Sequence, residues 1–590
     1  MKTFSIKLLM LLTLTIVACK NSESKSSDET IDSNVSMYYG GDILTMEKME
    51  PTYVESVVTK DGKIAFTGSQ AEAEKLFKNA KKINLEGKTL IPGFIDSHSH
   101  FSQTAIKLSL VNLDPSPAGN VNSIEDIKNA LAKELADNPE KYKDESSWLL
   151  GWGFDNAMLA EERFPTRKDL DEISTEYPIS LIHFSSHMMA MNSLGLERAG
   201  YLDKGYVVPE GGVMQRFEDS NEYSGVIEEQ AMLAAMNTIG EDISGVPGKY
   251  VSIPLPDEDM KKMLLQAQDL YIKNGFTTVT DMATTDDVYR QISDLAESNR
   301  LKVDVGMAYY SLLTTPENVK KLYAPDYKNH YRVIGGKLNL DGGTPGRTAY
   351  LRQPYHTPTH GQPADYRGYS SITDQKDMND LVGSYYELEV PFFIHALGDA
   401  AVDQCIDAVK YSEEHFNYDN SRTQIIHAQQ VQPDQFESLK DLDVTFTFQI
   451  THNFYFADFH NEYILGPERT ARLNPAKDAL NSDFSVTIHH DSPVHPVDQI
   501  SLMWIATNRA SRSGKVYGED QRLTAYEALY ASTMAGAYQF KEENIKGSLE
   551  AGKLADLVIL DKNPLKTDIQ AIKDIQVLET IKEGESVYKK

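Results

Sequence analysis

The apolar residues of this chain fall into two textures. From about residue 36 to 93, short runs alternate apolar and polar positions and break at glycines: SMYYGGDILTM, ESVVTKDGKIAFTG and KINLEGKTLIPG. Period-two alternation predicts half-buried strands. Asp61-Gly62 between two such runs predicts a two-residue hairpin turn. The stretch from about 545 to 590 repeats the texture in KLADLVILDKN and VLETIKEGESVY, with a second tight turn at Glu583-Gly584. Strands at both ends of one chain predict a small β-sandwich domain assembled from 36–93 and 545–590.

From 94 to 544 the pattern changes. Eight β-branched or aromatic runs recur: FIDSHSH, GFTTVTDM, VDVGMAYYS, GGKLNLDGG, PFFIHALGD, TQIIHAQQV, VTFTFQITHN and FSVTIHHDSP. Helical periodicity lies between them, as in DEDMKKMLLQAQDLYIKNG and ITDQKDMNDLVGSYYELEV. Strands alternating with helices predict parallel βα units, and eight of them predict an α/β fold of the (β/α)8 TIM-barrel kind. The segment from about 110 to 255 is too long for one connection. It predicts an insertion after the first barrel strand, with helices of its own, over the barrel mouth.

The start of the chain reads as an address. Two lysines precede the apolar stretch LLMLLTLTIVA, which is too short to span a bilayer and predicts a signal peptide over 1–18. TIVAC resembles a bacterial lipobox, which makes Cys19 the lipidated first residue of an exported lipoprotein of the cell envelope. Residues 19–35, polar and without apolar periodicity, then form a tether. A formal net charge of -29 weighs against nucleic acid and anionic membrane surfaces as partners. A small-molecule substrate is expected instead, with the membrane reached only through the lipid. The other cysteine, Cys405, sits among apolar residues at helical spacing and predicts a core position rather than a nucleophile.

Polar residues gather at the carboxyl ends of the predicted barrel strands: His98 and His100, then Lys337 and Asp341, His395, His427, and finally His490 and Asp491. In such barrels those ends form the active site. Each residue alone has a plain alternative as a hydrogen-bonded loop group. Crowded together they require a cation between them, and imidazole with carboxylate but no thiolate suits a catalytic rather than a structural metal site.

These motifs carry a resemblance. PGFIDSHSH, KLNLDGGTPGRTAYL, HALGDAAVD, IIHAQ, DSPVHPVD and GSLEAGKLADLVILD, with GWGFD and SSHMMAMNS in the insertion, resemble the amidohydrolase superfamily and its YtcJ-like branch. The resemblance implies one or two divalent metal ions, zinc first among them. His98, His100 and Asp491 would hold the more buried ion. Lys337 would be N-carboxylated, its carbamate bridging to a second ion on His395 and His427.

It further implies hydrolysis of a C–N bond, in a linear amide or an N-acyl or N-formyl compound. Metal-bound hydroxide would attack, with Asp491 as general base and then acid. Cyclic-amide or ester hydrolysis on the same site, or a catalytically silent surface-binding lipoprotein, are the alternatives. His187, Arg347, Asp155 and Trp152 lie in family-like segments and are expected to line the substrate pocket. Two departures stand out. An Ile-Ile pair precedes His427 where an acidic residue is expected, which puts a supporting hydrogen bond in doubt. His489 and His490 stand before Asp491 where smaller residues are usual.

Overall fold

The computed structural model describes residues 32–590 apart from 145–146, 210–211, 249, 251 and 358–361. The expected signal peptide and Cys19 lie outside the described residues. The first strand, Asp32–Leu44, already begins inside the expected tether. Among the described residues no helix is long and apolar enough to cross a membrane.

Each of the eight predicted runs carries a strand of one parallel sheet. In chain order they are Phe94–Ile95, Phe276–Thr284, Asp304–Tyr310, Tyr331–Asn339, Phe392–Ala396, Thr423–His427, Val444–Phe448 and Val486–Ile488, hereafter barrel strands one to eight. All seven neighbouring pairs are parallel. Ile95, Met282, Ala308, Ile334, Phe393 and Ile426 join Ala537 and Phe540 in one apolar cluster. The curled sheet returns on itself through side chains. Ser97, just past strand one, donates from Oγ to the carbonyl of Ile488 on strand eight at 3.2 Å, and meets Thr447 Oγ1 of strand seven at 3.2 Å.

The chain ends meet in a second, eight-stranded sheet. Its path runs Glu585–Lys589, Val577–Lys582, Leu557–Leu560, Thr89–Pro92, Asp32–Leu44, Tyr53–Lys60, Lys63–Gly68, with Ala80–Asn84 also on Asp32–Leu44. Both predicted hairpin turns form, with positive φ at Asp61 (50°) and Gly62 (79°), and at Glu583 (49°) and Gly584 (82°). Positive φ at both central residues matches the right-handed twist of the flanking strands. The chain leaves this sheet for the barrel at Gly93, where a Cβ would lie 2.3 Å from Thr277 Oγ1.

The insertion carries the expected helices and also a sheet that the sequence pattern did not predict. It is built on a six-stranded sheet, ordered Gly212–Arg216, Tyr223–Glu229, Met188–Met191, Ile179–His183, Leu149–Phe154, Val111–Asn112, with helices added to it. Leu149, Phe154, Ile179, Leu181 and Ala190 pack with Ile124, Ile127 and Leu131 of helix Ile124–Asp137. Leu150, Trp152, Ile182, Met189 and Met191 join the main core instead. Both faces are covered, so these strands lack the alternation that marks a half-exposed sheet.

At the amino ends of the barrel strands lies a buried charge network. Asp304 Oδ2, at the start of strand three, binds Lys546 Nζ at 2.5 Å and Lys582 Nζ at 2.8 Å. Lys582 also binds Asp556 at 2.9 Å, Lys546 binds Glu542 at 3.2 Å, and Arg332 pairs with Glu542. Three cations thus face three carboxylates, and the network ties the barrel to the sheet of chain ends.

Candidate metal centre

The six residues expected to ligate metal converge at the carboxyl ends of strands one, four, five, six and eight. His98 Nε2 lies 3.2 Å and His100 Nε2 3.5 Å from Asp491 Oδ1. Lys337 Nζ lies 3.5 Å from His98 Nε2. The His427 ring stands edge-on to His98 at 5.2 Å between centroids, and to His395 at 4.5 Å. His427 and Asp491 hold left-handed backbone, φ 71° and 58°. Such conformations are uncommon in residues other than glycine and collect at functional sites.

Electrostatics sharpen the picture. Burial drives the pKa values of His98 and His427 well below the imidazole range, so both present neutral rings. Burial lowers His395 as well, although Asp341 opposes it. Burial alone would raise Asp491, but the imidazoles of His100 and His98 outweigh it and hold the carboxyl well below its ordinary value. Lys337 is pushed down to about 7 by burial, against the weaker pull of Asp491.

The donors fit a divalent cation. His98 Nδ1, His100 Nδ1 and Asp491 Oδ1 are buried without a hydrogen-bond partner among the described residues. One ligand atom each from His98, His427 and Asp491 lies within 4.8 Å of the others. Nitrogen and oxygen lone pairs converging in one largely buried volume suit such an ion. Asp304, His330 and Glu583 form a similar trio. There, however, two lysine ammoniums already sit on Asp304, so the trio has no need of a metal.

Partners behind these side chains orient them. Asp341 accepts from the backbone N–H of Leu397, Gly398 and Tyr350 at 2.9–3.0 Å, and its Oδ1 lies 3.1 Å from His395 Nδ1. A carboxylate fixed this way sets the ring's orientation and directs Nε2 forward. Gln449 Nε2 donates to Asp491 Oδ2 at 3.1 Å. His490 turns away, towards Tyr271 and Phe276.

The expected pocket residues separate. His187, from the insertion, stands 6.4 Å from the His395 ring and bonds Glu229 Oε2 through Nδ1 at 3.1 Å. Burial works to lower its pKa, but Glu229 prevails and raises it. Arg347 instead donates to the carbonyls of Thr357 and Tyr463, at 2.8 and 3.4 Å. Trp152 packs in the main core. Asp155 is buried, accepts from the Ala157 N–H at 3.0 Å, and is pushed up to about 7 by burial.

Sequence reasoning missed the wall between the insertion and the last barrel loops. His183, His452, His460 and His495 are buried there among Phe184, Tyr455 and Phe456. Burial takes His183, His460 and His495 down to about 3, leaving neutral rings. His183 Nε2, His460 Nδ1 and His495 Nε2 lack hydrogen-bond partners among the described residues. The density of rings in THNFYFADFH was the available signal.

Comparison with known proteins agrees with this geometry. The model of the Amidohydrolase family matches residues 81–588. An N-substituted formamide deformylase of Arthrobacter pascens is 24% identical, over 91% of this chain and 95% of that protein. The putative amidohydrolase YtcJ of Bacillus subtilis (strain 168) is also 24% identical, over 94% and 99%. An uncharacterized metal-dependent hydrolase from Pyrococcus horikoshii superposes with a TM-score of 0.69 at 24% identity, covering 94% of this chain and all of that one. Another from Pyrococcus furiosus gives 0.67 at 25%, covering 90% of this chain and all of its own. The chain therefore belongs to the amidohydrolase family, in its YtcJ-like branch, and is a metal-dependent hydrolase acting on C–N bonds.

Proposed function

We propose that the chain hydrolyses a linear amide, an N-acyl or N-formyl compound, with His98, His100, Lys337, His395, His427 and Asp491 holding one or two divalent ions, zinc first among them. The carrying observation is Asp491: buried, kept ionised, steadied at Oδ2 by Gln449, and open at Oδ1. A divalent ion bound there lowers the pKa of water from about 15.7 towards about 7 and polarises a carbonyl. Asp491 takes the water proton at Oδ1 and passes it to the departing nitrogen, a step worth about 10²- to 10⁴-fold. His187, steadied by Glu229, is assigned to the substrate's carbonyl oxygen.

Lys337 supports the two-ion form. An amine near pKa 7 is about half neutral at neutral pH, and the neutral half offers a lone pair that adds to the carbon of CO2 as a proton leaves. The carbamate that forms is an anionic oxygen ligand. The ring wall of His183, His452, His460 and His495 suits an uncharged planar substituent. The name of the Arthrobacter pascens relative supports a small acyl group.

Screening metal-reconstituted protein against N-acyl, N-formyl, cyclic-amide and ester compounds tests the reading. Turnover of the first two classes is expected, with Asp491→Asn losing about 10²-fold or more in kcat while metal stays largely bound. Near-normal kcat in that variant removes the role given to Asp491. Turnover confined to cyclic amides or esters redirects the substrate class.

A further inference from the structure

Two imidazoles of the centre have an engaged Nδ1. For His395 the partner is the carboxylate of Asp341. For His427 it is another imidazole, with His489 Nε2 3.1 Å from His427 Nδ1. Two ring nitrogens at that distance share one proton, and the surroundings decide which ring owns it.

The ownership can be read from the far end of a chain of hydrogen bonds. The Ile488 carbonyl only accepts, so Ser97 spends its proton there. Ser97 Oγ then accepts from Thr447 Oγ1, 3.2 Å away. With its proton so used, Thr447 Oγ1 accepts from His489 Nδ1 at 2.8 Å. His489 is enclosed and hydrogen-bonds only neutral groups, so it carries one proton, on Nδ1. Its Nε2 is bare, and His427 must donate to it from Nδ1.

We infer that His489 is a positioning residue that fixes the tautomer of His427, through the one-way chain His427–His489–Thr447–Ser97–Ile488, so that Nε2 of His427 carries the free lone pair. Both nitrogens of His489 are used in that chain, so it is not itself a ligand. The two departures before His427 and Asp491 thereby compensate. The Ile-Ile pair stands where an acidic residue is expected before His427, and an imidazole just past strand eight, two strands away, takes up the orienting bond.

The inference rests on the metal reading, and zinc titration of the purified full chain separates the two. His489→Gln keeps an acceptor for His427 and a donor for Thr447, whereas His489→Leu keeps neither. Expected is a zinc affinity close to wild type in His489→Gln and a loss of about 10- to 100-fold in His489→Leu. Thr447→Val should fall between them, and His489→Leu should add nothing to His427→Ala. Equal losses in Gln and Leu would make His489 a ligand and overturn the inference, as would wild-type affinity in Leu. If Leu fails to fold, judged by melting in chelator, retention or loss of zinc in Gln decides alone. A wild-type chain that binds no zinc overturns the metal reading itself.

Discussion

The barrel buries lysines at both ends of its strands, with opposite consequences. At the amino ends, Lys546 and Lys582 share Asp304 and reach Glu542 and Asp556, and their pKa values rise because the carboxylates outweigh burial. At the carboxyl ends Lys337 is equally enclosed, but no carboxylate lies within ion-pair distance among the described residues, and burial takes it down to about 7. The amino-end cluster closes its own charges, so taking one partner away leaves an uncompensated ion. The carboxyl-end cluster points lone pairs at a shared volume and leaves the countercharge to come from outside. Carboxylates and imidazoles in proximity do not by themselves mark a metal site; whether lysines already occupy the carboxylates decides it.

The same substitution at each end breaks or sharpens this contrast. Lys337→Met should lower kcat by at least about 100-fold and reduce bound metal, while leaving the melting temperature in chelator unchanged or higher, since an unpaired buried amine is replaced by an apolar chain of similar size. Lys546→Met should keep metal and melt earlier. A clear loss of stability at Lys337, or none at Lys546, breaks the comparison.

Next in size is Asp304→Asn, which leaves two ammoniums short of a carboxylate. About 3–5 kcal/mol of stability should be lost, measured by denaturant unfolding, with zinc affinity untouched. The smallest effect is expected at Asp155. Its folded pKa of about 7 lies above the unfolded value. Its contribution is therefore complete below the ordinary aspartate range and disappears as pH rises towards 7. Asp155→Asn escapes that loss, so melting at pH 5 and pH 8 should show the variant gaining on wild type by about 1–3 kcal/mol at the higher pH. A constant difference between the two pH values would refute burial as the cause.

The barrel was legible because its strands alternate with helical stretches and five of them run into a distinctive polar residue. Both hairpins were legible from Asp61-Gly62 and Glu583-Gly584, where glycine supplies a conformation other residues resist. The insertion's sheet was not legible. Leu149–Phe154, Ile179–His183 and Met188–Met191 are buried throughout, so they carry no period. The ligand set came from the ends of strands and from resemblance. The partners behind it did not, because Glu229 reaches His187 and His489 reaches His427 only through tertiary contact. Ring orientation, which decides the role of His489, leaves no trace in a one-dimensional pattern.

The sheet of chain ends has a consequence for synthesis. Thr89–Pro92 is paired on one side by Asp32–Leu44 and on the other by Leu557–Leu560. Its second partner lies more than 450 residues downstream. At about 5–20 residues per second, the intervening chain takes roughly half a minute to a minute and a half to emerge from the ribosome. Strands that pair during that interval would leave the apolar Leu90 and Ile91 on an open β edge, the kind of surface that recruits strands from other molecules. That edge is closed only when Leu557–Leu560, near the end of the chain, pairs beside it.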